Sequence, residues 1–74
     1  MQGPMNPAEV EALVRSVIVE FGMPFTVQSV VGSPLGWNIK VRADGTPRVI
    51  SFLVPGQRAL AIREAVQAKL EDEF

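Results

Sequence analysis

Residues 37 to 54 constrain this chain more than any other stretch, because they read as two strands joined by a turn: Trp37-Asn38-Ile39-Lys40-Val41-Arg42, then Ala43-Asp44-Gly45-Thr46, then Pro47-Arg48-Val49-Ile50-Ser51-Phe52-Leu53-Val54. An Asp-Gly pair between apolar runs favours a two-residue hairpin loop with positive φ at both centres, and that loop sets the register. With Asp44-Gly45 as the loop, Ala43 faces Thr46, Val41 faces Arg48, Ile39 faces Ile50 and Trp37 faces Phe52. Side chains alternate along a strand, so one face carries Trp37, Ile39, Val41, Ile50, Phe52 and Val54. The other carries Asn38, Lys40, Arg42, Val49, Ser51 and Leu53. A sheet with one wholly apolar face needs a second layer to cover it.

Two amphipathic segments can supply that layer. Asn6-Pro7-Ala8-Glu9 is a helix start with Asn at the N-cap, Pro at N1 and Glu at N3, where its carboxylate reaches back to the cap. The helix is predicted to run from Pro7 to Phe21. Its stripe of Val10, Leu13, Val14, Val17, Ile18 and Phe21 follows the helical period, while Val19 lies off it. Gly22 suits the residue after a helix end, and Pro24 forbids continuation. From Gln57 onward, Ala, Glu, Gln, Arg and Lys favour a second helix. Its stripe is Ala59, Ile62, Ala65 or Val66, and Leu70, extended by Phe74, with Leu60 on the opposite side.

Phe25 to Val31 reads as a first strand, with Phe25, Val27 and Val31 on one side and Thr26, Gln28 and Val30 on the other. Gly32-Ser33-Pro34-Leu35-Gly36 is a turn or short loop, and Pro55-Gly56 ends the third strand. The predicted fold is therefore a two-layer α+β sandwich of order α-β-β-β-α, with a three-stranded antiparallel sheet and both helices on the Trp37 face. Residues 1–5 read as a flexible leader, and residues 6–74 as a single domain.

Composition removes most chemistry. The chain of 74 residues has neither Cys, His nor Tyr, so disulfides, thiolate metal sites and the commonest general base are absent. Ser16, Ser29, Ser33 and Ser51 have no histidine partner, and the spacing of Lys40 and Lys69 gives no support to a Ser–Lys dyad. Glu9 and Glu11 diverge on a helix, and Asp44 is explained by its turn. No catalytic, cofactor-binding or metal-binding set emerges, and the expectation is a protein that is not an enzyme. No run has membrane-span length and no signal peptide is evident, which makes the cytoplasm the default location.

Net charge is −1, but it is unevenly spread. Between residues 36 and 63, Lys40, Arg42, Arg48, Arg58 and Arg63 face Asp44 alone, a net +4, whereas residues 64 to 74 carry a net −3. Glu71-Asp72-Glu73 puts negative charge at a helix C-terminus, which the helix dipole disfavours. At 47%, the apolar share is also high for so short a chain, and Val30, Val49 and Leu53 are expected on the open sheet face. Three outward apolar residues on one face suggest a contact surface.

The order of elements resembles that of double-stranded-RNA-binding domains. Pro24-Phe25 looks like the opening of that family's first strand. Gly32-Ser33-Pro34-Leu35-Gly36 followed by Trp37 to Val41 is similar to its Gly-Pro loop and second strand, and Gly56 to Leu70 resembles its Ala-rich closing helix. The resemblance implies RNA contacts from the first helix, the first loop and the start of the last helix. Those positions hold Glu9 and Glu11, then Ser33, Pro34 and Leu35, then Gln57, Arg58, Ala59 and Leu60. The loop lacks the family's His and the helix start lacks its lysine cluster.

The leading expectation is a noncatalytic module that associates with a protein partner or with itself through the open sheet face or a sheet edge, using Lys40, Arg42, Val49 and Leu53. The alternative is weak binding of double-stranded RNA or DNA through Lys40, Arg42, Arg48, Arg58 and Arg63.

Overall fold

The computed structural model describes residues 5 to 73. It contains α1 (Pro7–Glu20), β1 (Phe25–Ser33), β2 (Gly36–Ala43), β3 (Val49–Val54) and α2 (Ala59–Glu73). The strands form one antiparallel sheet in the order β1-β2-β3. The α-β-β-β-α sandwich expected from the sequence is therefore the observed architecture. Residues 1–4 of the leader expected at residues 1–5 lie outside the described residues, as does Phe74. Met5, the last residue of that stretch, is half-buried and packs against the core.

Local chemistry accounts for α1. Asn6 Oδ1 accepts the Glu9 N–H at 2.9 Å and Glu9 Oε1 accepts the Asn6 N–H at 3.0 Å, the reciprocal box that its first residues encode. At the other end the Met23 N–H bonds the Ile18 carbonyl at 3.0 Å and the Gly22 N–H bonds Val19 at 3.2 Å, closing the helix in a Schellman arrangement. This ending corrects one core assignment. Phe21, expected at the end of the stripe, caps the helix and is exposed, and Met23 enters the core in its place.

The inner sheet face is as expected: Trp37, Ile39, Val41, Ile50, Phe52 and Val54 are all buried. Val10, Val14, Val17 and Ile18 of α1, with Ile62, Val66 and Leu70 of α2, complete a single cluster against it. Complete burial of Ile39, Ile62 or Leu70 is worth about 1.5–3 kcal/mol each relative to exposure. Ala59 lies outside this cluster and is exposed, because the helix begins there and its first turn has not yet met the sheet.

The hairpin register differs from the expected one by two residues. Trp37 pairs with Val54, Ile39 with Phe52, Val41 with Ile50 and Arg42 with Val49. A two-residue loop needs positive φ at both Asp44 and Gly45, and only Gly45 takes it, at +78°. Thr46 explains the longer loop. Its N–H and its hydroxyl both donate to the Ala43 carbonyl, at 3.2 and 3.1 Å, and its Oγ1 accepts the Arg48 N–H at 3.2 Å. A shift of two preserves side-chain parity, so both faces survive the change.

At the other end of β2, Gly36 has φ +141°, and a Cβ there would lie 2.2 Å from the Val54 carbonyl oxygen and 2.7 Å from Pro55 Cα. The start of β2 and the end of β3 are thus held at a separation only glycine allows. Gly45 has open space around it and needs only its φ. Gly45→Ala is expected to cost about 1–2 kcal/mol and Gly36→Ala more than about 3 kcal/mol. Urea unfolding followed by circular dichroism checks this; equal losses at the two sites would contradict it.

Candidate interaction surface

The outer face is built from three cross-strand rows: Thr26, Arg42 and Val49; Ser29, Lys40 and Ser51; and Val31, Asn38 and Leu53. Val31 stands where Val30 was expected. A bulge between Val27 and Ser29 leaves Gln28 unpaired opposite β2, and one extra residue reverses the alternation downstream. Val30 therefore turns inward against the core, and Val31 is 57% exposed on the open face. Single-strand alternation carries no sign of such an insertion, since Val30 and Val31 are interchangeable in type.

Val49 and Leu53 are exposed on β3 as the sequence places them, at 45% and 43%. The three apolar residues do not form a continuous patch. Val31 and Leu53 are separated by Asn38 across about 10 Å, and Val49 lies about 13 Å along the strand from Leu53. Lys40 and Arg42 project between them from β2, exposed and without an ion-pair partner among the described residues. Lys40 lies directly between Ser29 and Ser51, a juxtaposition that strand spacing in one segment could not reveal. Lys40 and Ser51 are exposed, and a lysine acting as base depends on a desolvated site.

The five candidate cations are not brought together. Arg48 of the hairpin pairs with Glu73 of α2 at 3.2 Å. Arg63 bonds Glu20 and approaches Ser16, which places it on the helical layer beside α1, on the opposite side of the sheet from Lys40 and Arg42. Arg58 stands at the start of α2, where its carbonyl accepts the Ile62 N–H at 2.9 Å. Among the described residues no cluster of His, Cys, Asp or Glu could hold a metal ion, and no helix is long and apolar enough to cross a membrane.

The free edge of β3 is the more distinctive feature. The Ala43 N–H donates to the Arg48 carbonyl at 3.0 Å, which marks that pair as a hydrogen-bonded one. Alternation then directs the peptide groups of Ile50, Phe52 and Val54 at β2, and those of Val49, Ser51 and Leu53 at the open edge. Beside this edge is an open groove of about 560 Å³ between β3 and α2, lined by Ser51, Leu53, Ala65, Ala68, Lys69 and Asp72 among others. The sequence names β3 and α2 separately, and nothing in it announces that their flanks enclose a groove.

The chain matches no family model, no curated protein and no solved structure. The bulge sets a direct test of the outer face. Val31→Asp is expected to change stability by less than about 0.5 kcal/mol, whereas Val30→Asp costs more than about 2 kcal/mol because it puts a carboxylate against the core. Thermal unfolding of the two variants distinguishes the bulged strand from simple alternation, which reverses their order.

Proposed function

We propose that this chain is a noncatalytic association module that takes an extended protein segment onto the free edge of β3, with the outer sheet face beside it as a secondary contact. The observation that carries this reading is the character of that edge. From Val49 to Val54 it has no charge, no proline and no bulge, the devices that usually keep a strand edge from pairing. Strand addition draws affinity from main-chain hydrogen bonds and specificity from alternate side chains, and Val49 and Leu53 are the alternate side chains left in solvent.

Support for the nucleic-acid alternative is weaker. Two of its five cations, Arg48 and Arg63, are engaged by Glu73 and Glu20, and among the described residues Lys40 and Arg42 have no outward aromatic residue beside them for stacking. The likeness to double-stranded-RNA-binding domains remains one of element order and loop composition, with the RNA-gripping residue types missing.

A fluorescein-labelled peptide of sequence Lys-Lys-Val-Ile-Ser-Phe-Leu-Val-Lys, mimicking an edge strand, is the probe. Its anisotropy is expected to rise on titration with the protein, and the apparent affinity to fall at least about fivefold for Leu53→Lys and for Ser51→Pro, whose N–H faces the edge. A labelled 20-base-pair RNA duplex is expected to show no binding at low salt. Binding of the duplex that weakens steeply with salt, with no binding of the peptide, reverses the assignment.

A further inference from the structure

We infer that the segment accepted by the β3 edge is β3 of a second copy of this chain, paired antiparallel about Ser51 so that two three-stranded sheets become one of six strands. This rests on the association reading above and specifies its partner.

The register follows from which groups are free. Val49, Ser51 and Leu53 direct their peptide groups outward, and an antiparallel pair centred on Ser51 sets Ser51 against Ser51, and Val49 of each copy against Leu53 of the other. All three pairs are hydrogen-bonded in this register. On the outer face the half-exposed Val49 and Leu53 cover each other, and no charged side chains of β3 are opposed.

Charge on α2 selects the same two-fold axis. The Arg48–Glu73 pair ties the start of the third-strand segment to the C-terminal end of α2, so the helix runs back along β3 and its middle lies near Ser51. Ala65 and Asp72 are seven residues apart on α2, and at 100° per residue that step drifts by only about 20°, so they share one flank; Arg58 stands just before the first turn, its carbonyl accepting the Ile62 N–H. Ala65 and Asp72 line the groove beside the β3 edge. Ser51 and Ala65 line the same groove, so an axis through Ser51 passes close to Ala65, midway in the chain between Arg58 and Asp72. It therefore brings Arg58 of each copy toward Asp72 of the other, while the small Ala65 side chains permit close approach of the helices.

The pairing also accounts for charges that oppose their own helix. The first turn of α2 has no acidic residue and its last turn no basic one, although Glu71, Asp72 and Glu73 crowd the C-terminus. In isolation this arrangement runs against the macrodipole. An antiparallel neighbour supplies cations to the acidic end and carboxylates to the basic end. β1 offers no equivalent site, because the bulge at Gln28 interrupts its edge.

Sedimentation of the full chain between about 10 µM and 1 mM tests the assembly, since an interface of this modest size belongs to the weak class. A monomer–dimer equilibrium is expected, weakened about fivefold or more by Arg58→Asp and restored by the double charge exchange Arg58→Asp with Asp72→Arg. The chain has no cysteine, so cross-linking reads the register directly. Opposed Ser51 residues place their Cα atoms about 5.5 Å apart, within disulfide range. Ser51→Cys is expected to form a disulfide dimer at least about tenfold faster than Val31→Cys, and Val49→Cys to cross-link with Leu53→Cys rather than with itself.

A chain that stays monomeric to 1 mM overturns the homodimer, as does a dimer whose Ser51→Cys variant oxidises no faster than Val31→Cys, or one that the charge exchange fails to restore. A monomer that still binds the labelled strand peptide overturns only the choice of partner. A monomer that binds no peptide overturns the association reading with it. Circular dichroism of every variant separates lost association from lost folding.

Discussion

Everything in this molecule depends on covering one side of a three-stranded sheet. Ile39 and Val41 at its centre are wholly buried, and both helices are committed to covering them. Val10, Val14, Val17 and Ile18 come from α1, and Ile62, Val66 and Leu70 from α2. Among the described residues there is no third helix to place elsewhere. The layer arrangement that stabilises the core is thus also what leaves the other sheet face and the β3 edge bare. In small domains the stability problem and the association problem are coupled in this way, because surface is a larger share of the whole.

The elements that could be read from sequence are those governed by short-range physics. The Asn6 cap, the helical stripe from Val10 to Ile18, though not its expected end at Phe21, and the alternation of β2 and β3 each rest on spacing within a few residues. The hairpin register depends on more. Asp44-Gly45 signals a turn correctly, but the hydrogen bonds of Thr46 set its length, and Asp44 itself is held from elsewhere: its N–H donates to the Pro24 carbonyl at 2.8 Å and its carboxylate accepts the Thr26 hydroxyl at 2.5 Å. Contacts between residues eighteen or more apart in the chain are invisible to a local turn rule. The faces nonetheless come out right, because an error of two residues leaves parity untouched.

The bulge at Gln28 shows the opposite case, in which an error of one residue exchanges Val30 and Val31 between core and solvent. It also changes the character of the candidate surface. With Val31, Val49 and Leu53 at three corners, Thr26 at the fourth and Lys40 near the centre, the outer face offers scattered apolar side chains around a charged middle. Such a face favours a secondary contact over an independent docking site. Emphasis moves to the edge beside it, a feature of topology that composition does not reveal.

Edge and face also differ in what they demand of a partner. A partner on the face must contend with Lys40 and Arg42 side chains, and supply compensation for their lost solvation. A strand added to the edge meets peptide groups that already need partners, and it leaves those cations in water. The desolvation asked of an incoming segment is correspondingly smaller at β3, where Ser51 is the sole polar side chain between Arg48 and Pro55. The absence of charge in that stretch, which suits its inward side chains to the core, is the same property on which the proposed strand addition at its outer edge rests. Under that proposal one run of six residues serves both the core and the surface, and the alternation of its side chains keeps the two roles apart.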